Sequence, residues 1–246
     1  MSMTILIAVA MKMEINYLFK KFTDFSEYQL GEYKYYQTKV DNKTIYILLT
    51  GVGSLNTAIS LTKFLHIIKP DVIINAGTAG AHDKKLNVGD IVLAKEVINT
   101  NSIDTVFKEE NEGSNSLNWK LKAFSEDAED KGFIEDILIY YGNEKLISSM
   151  KTIGEKYGFK IYEGRVSSGD VWNKEKDRIK YFNEKYGSFC EEMEIYSIYK
   201  ICKQEKIPCL GIKIISNNEM NGQPYERNIS EKLDEFLYKI LLDYQN

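Results

Sequence analysis

Hydrophobic and polar positions alternate along the chain in two registers. Short continuous apolar runs read as buried strands, and longer stretches with apolar residues three and four apart read as amphipathic helices. Thr4-Ile-Leu-Ile-Ala-Val-Ala10 is the first such run, and Ile15, Leu18, Phe19 and Phe22 follow it at helical spacing. Residues 33–39 and 44–50 predict two strands around an Asp-Asn-Lys turn. Leu55, Ala58, Ile59, Leu61, Phe64, Leu65 and Ile68 predict a helix that Pro70 ends. Residues 71–75 predict a strand running into a small-residue turn, Gly77-Thr-Ala-Gly80, and residues 90–97 predict another strand. Helices are expected over 144–157, 191–203 and 230–244, and strands over 160–166 and 209–216. Residues 99–132 are polar and acidic, and predict a long excursion over one edge, a lid or a partner contact, within a single domain spanning 1–246.

This alternation argues an α/β architecture with a mostly parallel sheet, whose ligands sit at the carboxyl ends of the strands. Polar or glycine-rich clusters fall at five such ends. They are Met11 to Glu14, Gly51-Val-Gly53, the stretch after Asn75, Ser167-Ser-Gly-Asp170, and Ser216-Asn217. Five polar ends predict one composite small-molecule site.

Composition narrows the chemistry. A chain of 246 residues, 43% hydrophobic, can bury a sizeable core, which argues against intrinsic disorder. A net charge of −4 lacks the basic footprint of a general nucleic-acid binder. No apolar run approaches the roughly 20 residues that span a bilayer, and no basic residue precedes the first apolar run, so neither a membrane span nor a signal peptide is expected. Cys190, Cys202 and Cys209 form no CxxC pair and fit reduced thiols in the cytoplasm. With two histidines, His66 and His82, no zinc ligand set is grouped, and no metal or cofactor is expected. Carboxylates and backbone groups are left to carry any chemistry.

Each candidate also has a plainer reading. Gly51-Val-Gly-Ser-Leu-Asn56 resembles a dinucleotide fingerprint, but Asn56 replaces its third glycine and no acidic residue ends the next strand. A tight turn with backbone close to a ligand explains it as well. Glu14 is either a carboxylate favoured at a helix start or a catalytic base. Glu191-Glu192-Met193-Glu194 reads as the acidic first turn of a helix. Glu192 and Glu194 are two apart and cannot share a helix face, so one of them points inward and needs a partner. Trp172 is either core or a platform for a flat heterocycle.

Taken together, these stretches resemble the nucleoside phosphorylase/nucleosidase superfamily, and within it the 5′-methylthioadenosine/S-adenosylhomocysteine nucleosidases. The matching segments run in order from Ile5-Leu-Ile-Ala-Val-Ala-Met-Lys-Met-Glu14 through Thr50-Gly-Val-Gly53, Pro70-Asp-Val-Ile-Ile-Asn-Ala-Gly-Thr-Ala-Gly80 and Val88-Gly-Asp-Ile-Val92. They continue with Ser168-Gly-Asp170, Glu192-Met-Glu194 and Ile215-Ser216. The resemblance implies a twisted mixed β-sheet, partly closed as a barrel and flanked by helices. It implies hydrolysis of the N-glycosidic bond of a 5′-thioadenosine to adenine and a 5-thioribose, without cofactor, by a homodimer. It makes Glu14 the base that activates water, and Met193 and Glu194 the residues that hold the ribose. Thr78 would lie near the water, Trp172 would stack on the base, and the backbone of Asn173 would read the purine edge. Val52, Ala79, Gly80, Glu192 and Ser216 complete the expected site.

Two departures matter. Where the family's phosphorylases hold phosphate with an arginine, this chain has Asn75, which favours water as nucleophile. Where the family's general-acid aspartate protonates N7, it has Asn217. An amide donates a hydrogen bond but cannot deliver a proton. Three explanations stay open: slow turnover of adenine nucleosides, a 6-oxopurine substrate, and an aspartate replaced to trap substrate. A nucleoside-binding protein without catalysis is the alternative class.

Overall fold

A computed structural model describes residues 3–122 and 139–245. Its strands are β1 (Met3–Val9), β2 (Ser26–Leu30), β3 (Tyr33–Val40), β4 (Lys43–Leu49), β5 (Val72–Ala81), β6 (Ile91–Asn99), β7 (Ile103–Asp104), β8 (Lys120–Leu121), β9 (Ile139–Tyr141), β10 (Ile161–Ser168), β11 (Ser188–Glu192) and β12 (Cys209–Asn217). Its helices are α1 (Asn16–Lys21), α2 (Ser54–Leu65), α3 (Glu144–Lys156), α4 (Lys176–Tyr186), α5 (Ile195–Glu205) and α6 (Ser230–Asp243).

Ten strands form one mixed sheet in the order β11-β10-β6-β12-β5-β1-β4-β3-β2, with β9 beside β6. The sheet closes on itself because β11 also pairs antiparallel with β5, through Cys190↔Ala81 and Glu191↔Gly80. The ring β5-β12-β6-β10-β11 is therefore a five-stranded mixed barrel, and β1, β4, β3 and β2 extend it on one side. Apolar cores on both faces explain why the central strands are continuous apolar runs. Every residue of β12 is buried. Leu18, Met150, Leu233, Phe236 and Ile240 pack the helices α1, α3 and α6 on one core. Leu61, Phe64, Ile198 and Tyr199 pack α2 and α5 on the other.

Two expectations need correction. Gly77-Thr-Ala-Gly80 is not a turn: β5 runs on to Ala81, because β12 keeps pairing with it as far as Gly80. The helix expected from residue 191 begins at Ile195, since Ser188–Glu192 is the barrel-closing strand. The excursion after Asn99 contains the small β7–β8 ladder and a 3-10 turn at Ser116–Asn118; residues 123–132 lie outside the described residues. Helix α4, and strands β2 and β9, were not anticipated, although Ile179, Phe182 and Tyr186 place an apolar face on α4 at helical spacing.

Candidate active site

The pairing of β1 with β5 stops at Ala8↔Asn75, whereas β5 continues for six residues to Ala81. The chain leaving β1 therefore turns across the free flank of β5. It forms a 3-10 turn, Lys12–Ile15, before α1. Glu14 anchors that turn: its Oε2 accepts the Met11 N–H at 3.1 Å, and its Oε1 accepts the Thr78 N–H at 3.2 Å. A Cβ at Gly77 would approach Glu14 Oε1 to 3.1 Å and Lys213 Nζ to 3.5 Å, so any larger residue there would crowd the carboxylate.

Glu192 ends β11, and Glu194 precedes α5, so both carboxylates turn inward. Glu192 caps the helix: its Oε2 accepts the N–H groups of Glu194 and Ile195, each at 3.0 Å. The same oxygen lies 2.7 Å from Nζ of Lys213, an ion pair sealed from solvent. Glu194 Oε1 accepts the Gly53 N–H at 2.8 Å. Gly53 presents that N–H with φ +93°, a conformation that explains the glycine at the start of α2. Asp170 fixes the same turn by accepting from Ser54 N–H at 2.8 Å and from Ser54 Oγ at 2.6 Å.

Lys213 is thus a buried cation among three carboxylates. Burial lowers its affinity for a proton, but Glu192, Glu194 and Glu14 more than reverse this and hold its pKa above the ordinary value. Burial raises Glu14, against the pull of Lys213 and of the Met11 and Thr78 amides. Burial and the adjacent Glu192 charge push Glu194 up to about 8, against Lys213 and the Gly53 amide.

The three carboxylates line a cavity of about 180 Å³. Glu14, Thr78, Glu192, Met193 and Glu194 lie along it, with Ala79, Gly80, Ser216 and Asn217 at the carboxyl ends of β5 and β12. Trp172 and Tyr225, edge to face at 5.6 Å, and Val52 form its outer rim. Trp172 and Val52 are 56% and 47% exposed, so the ring is a platform at the mouth and not core.

Of the expected site residues, Asn173 is the one that does not line this cavity. It lies beside the neighbouring pocket, and its N–H is donated to Glu191 Oε1 at 3.0 Å. Asn75 is also set back in β5, buried, with Nδ2 donating to Ala8 O at 3.1 Å. Lys213 was missed, although a lysine inside the apolar run Cys209-Leu-Gly-Ile-Lys-Ile-Ile-Ser216 is a signal. Glu191 and Tyr225 were missed as well. Among the described residues, no cluster of His, Cys, Asp or Glu is arranged to hold a metal, and no helix is long and apolar enough to cross a membrane.

Comparison with known proteins agrees with this architecture. The chain is 29% identical over 217 residues to the 5′-methylthioadenosine/S-adenosylhomocysteine nucleosidase of Staphylococcus carnosus, covering 86% of each chain. The native futalosine hydrolase of Helicobacter pylori superposes with a TM-score of 0.78 at 21% identity, covering 98% of this chain and 97% of the other. The 5′-methylthioadenosine/S-adenosylhomocysteine nucleosidase of Campylobacter jejuni gives 0.78 at 18% identity, covering 97% of both. The family model described as the phosphorylase superfamily matches residues 4–240. A closed mixed barrel with a carboxylate-rich cavity at its strand ends, and a family match along almost the whole chain, place this protein in the phosphorylase superfamily.

Proposed function

We propose that the chain is a purine nucleosidase: water displaces the base from C1′ of a ribonucleoside and a free sugar is released. The observation that carries this reading is the convergence of Glu14 and Glu194 on one cavity around the fixed cation Lys213. Cleavage of a ribosidic C–N bond builds positive charge on the sugar, as in glycoside hydrolysis. Glu14, raised by burial, suits a base that takes a proton from water near neutral pH. Ionised Glu194 suits an acceptor for the ribose hydroxyls and a counter-charge for the sugar. Trp172 offers a face for the purine.

Water is favoured over phosphate by electrostatics. The buried cation Lys213 is already engaged by Glu192, so it is not free to hold a phosphate dianion. Asn75 bears on this only as the absence of an arginine, since its side chain is tied to the Ala8 carbonyl.

The relatives' names support a 5′-thio-substituted nucleoside such as 5′-methylthioadenosine or S-adenosylhomocysteine, with Met11 and Val52 as the apolar end for the thioether. Asn217 stands beside the base without a transferable proton, which makes an adenine leaving group depart slowly. One domain, a cytoplasmic setting and a homodimer belong to the same reading. Three buried free thiols support the second, and exposed Val52, Val171 and Trp172 around the mouth support the third. The purified protein is to be incubated with 5′-methylthioadenosine, 5′-methylthioinosine, adenosine and inosine, and the free base measured by chromatography. Base release from at least one supports the reading, and release from none contradicts it.

A further inference from the structure

A second cavity, about 250 Å³, borders the first and shares Val171, Trp172 and Glu191 with it. Trp119, Trp172 and Phe182 give it aromatic walls, and Arg178 lines it beside them. Arg178 belongs to the buried face of α4, with Ile179 and Phe182, and is only 6% exposed. Its guanidinium is held among rings, 4.4 Å from the centre of Phe182, 5.4 Å from that of Tyr181 and 6.0 Å from that of Trp119. Nη1 donates to Ser116 O at 2.5 Å. That is its one hydrogen bond among the described residues, and it makes no ion pair with any of them.

A buried charge is ordinarily paired. The two carboxylates that border this cavity are engaged elsewhere. Glu175 Oε2 accepts from Ser116 Oγ at 3.1 Å. Glu191 Oε1 accepts the Asn173 N–H at 3.0 Å, and its Oε2 lies 3.0 Å from Nε2 of the buried His82. A guanidinium carries five N–H donors in one plane, and Arg178 spends one of them on Ser116. None of its nitrogens is walled off without a partner, so the unpaired donors open on the cavity that the residue lines.

The unpaired edge sets the class of ligand. A carboxylate meets two parallel N–H donors of a guanidinium and brings the single negative charge that Arg178 lacks. A phosphate dianion would meet twice the repulsion from Glu175 and Glu191. Aromatic walls favour a flat apolar body behind the acid group. We propose that this cavity is a binding site for a small aromatic carboxylic acid, with Arg178 as the residue that holds its carboxylate. The acid is either a free molecule or an arm of the ligand whose base sits against Trp172.

The chain's two tryptophans, Trp119 and Trp172, both line the cavity, so tryptophan fluorescence reports its occupation. The test titrates benzoate, and benzamide as its uncharged counterpart, into the wild type and Arg178→Gln. A charge-assisted contact of this kind is worth about 10- to 100-fold in affinity. Benzoate should change the fluorescence of the wild type, bind more tightly than benzamide by that factor, and lose the margin in Arg178→Gln. Equal binding of the two, binding of neither, or a margin that the variant keeps overturns the site. If Arg178→Gln does not fold, Arg178→Lys replaces it, keeping the charge without the fork. The margin should then shrink, and an unchanged margin overturns the site. Repeating the benzoate titration in saturating adenine or hypoxanthine tells the source of the acid. Additive binding means a free acid and mutual exclusion means an arm of one ligand, and both keep the site. Binding of neither purine counts against the nucleosidase reading, while the benzoate margin still decides the site.

Discussion

Lys213 Nζ and Glu192 Oε2 lie 2.7 Å apart with both side chains sealed from water, and this pair makes the cavity an electrostatic unit. Glu192 also caps α5, so the pair ties β12, β11 and the helix start carrying Glu194 together. Breaking a buried ion pair by removing one partner strands the other charge, at a cost of about 3–5 kcal/mol. Lys213→Met should lower the unfolding free energy in urea by that amount. A loss below about 1 kcal/mol would mean that water already screens the pair.

Glu14 is expected to act as the base toward water. Glu14→Gln keeps the turn, because the amide oxygen can still accept from Met11 or Thr78, but it removes the base. Turnover should fall about 10²–10⁴-fold with little change in KM. Unchanged turnover would reduce Glu14 to the carboxylate that anchors the turn after β1.

The pH profile follows from the same groups. Glu14 lies above the ordinary carboxylate value of 4.5, and Glu194 lies near 8. Both must lose a proton to serve as base and sugar counter-charge, so kcat/KM should rise as pH increases toward about 8. Glu194→Gln should lower activity and move the acid limb downward. A profile already flat above pH 5 would contradict this.

Asp234, on α6, accepts the N–H groups of Tyr17 and Leu18 at the start of α1. Burial pushes it up to about 7, against those two amides. The folded state therefore holds this proton more tightly than the unfolded state. Its stabilising contribution is complete below about pH 4 and is lost as pH rises through 7. Asp234→Asn should flatten that part of the stability-versus-pH curve, and identical curves would refute the assignment.

Much of the site could be read in the sequence because its residues end strands. Glu14, Thr78 and Asn217 follow apolar runs and Trp172 follows a polar strand end, whereas Met193 and Glu194 were singled out by the acidic pattern and the family resemblance; the fold gathers them all at one cavity. Lys213 escaped because an apolar run reads as core, and its three counter-charges come from distant segments. Glu191 escaped because residues 191–194 read as one helical turn; the closing pair Glu191↔Gly80 is long-range and leaves no local pattern. The Gly77–Gly80 stretch looked like a turn for a related reason. Small residues there make room for Glu14, Lys213 and the Asn217 amide over an uninterrupted strand.

Asn217→Asp tests the leaving-group side of the account. A carboxyl kept protonated by its surroundings can give a proton to N7, as an amide cannot. Cleavage of 5′-methylthioadenosine should rise about 10²-fold or more, while cleavage of 5′-methylthioinosine should fall. No gain on any adenine nucleoside would show that residue 217 does not sit at N7.

The central claim is that water, and not phosphate, attacks the sugar. The most direct measurement is the sugar product formed from 5′-methylthioinosine or 5′-methylthioadenosine in phosphate buffer, read by phosphorus NMR and by a reducing-sugar assay. The account predicts free pentose at a rate independent of phosphate concentration. A pentose 1-phosphate, formed at a rate that saturates with phosphate, would contradict it.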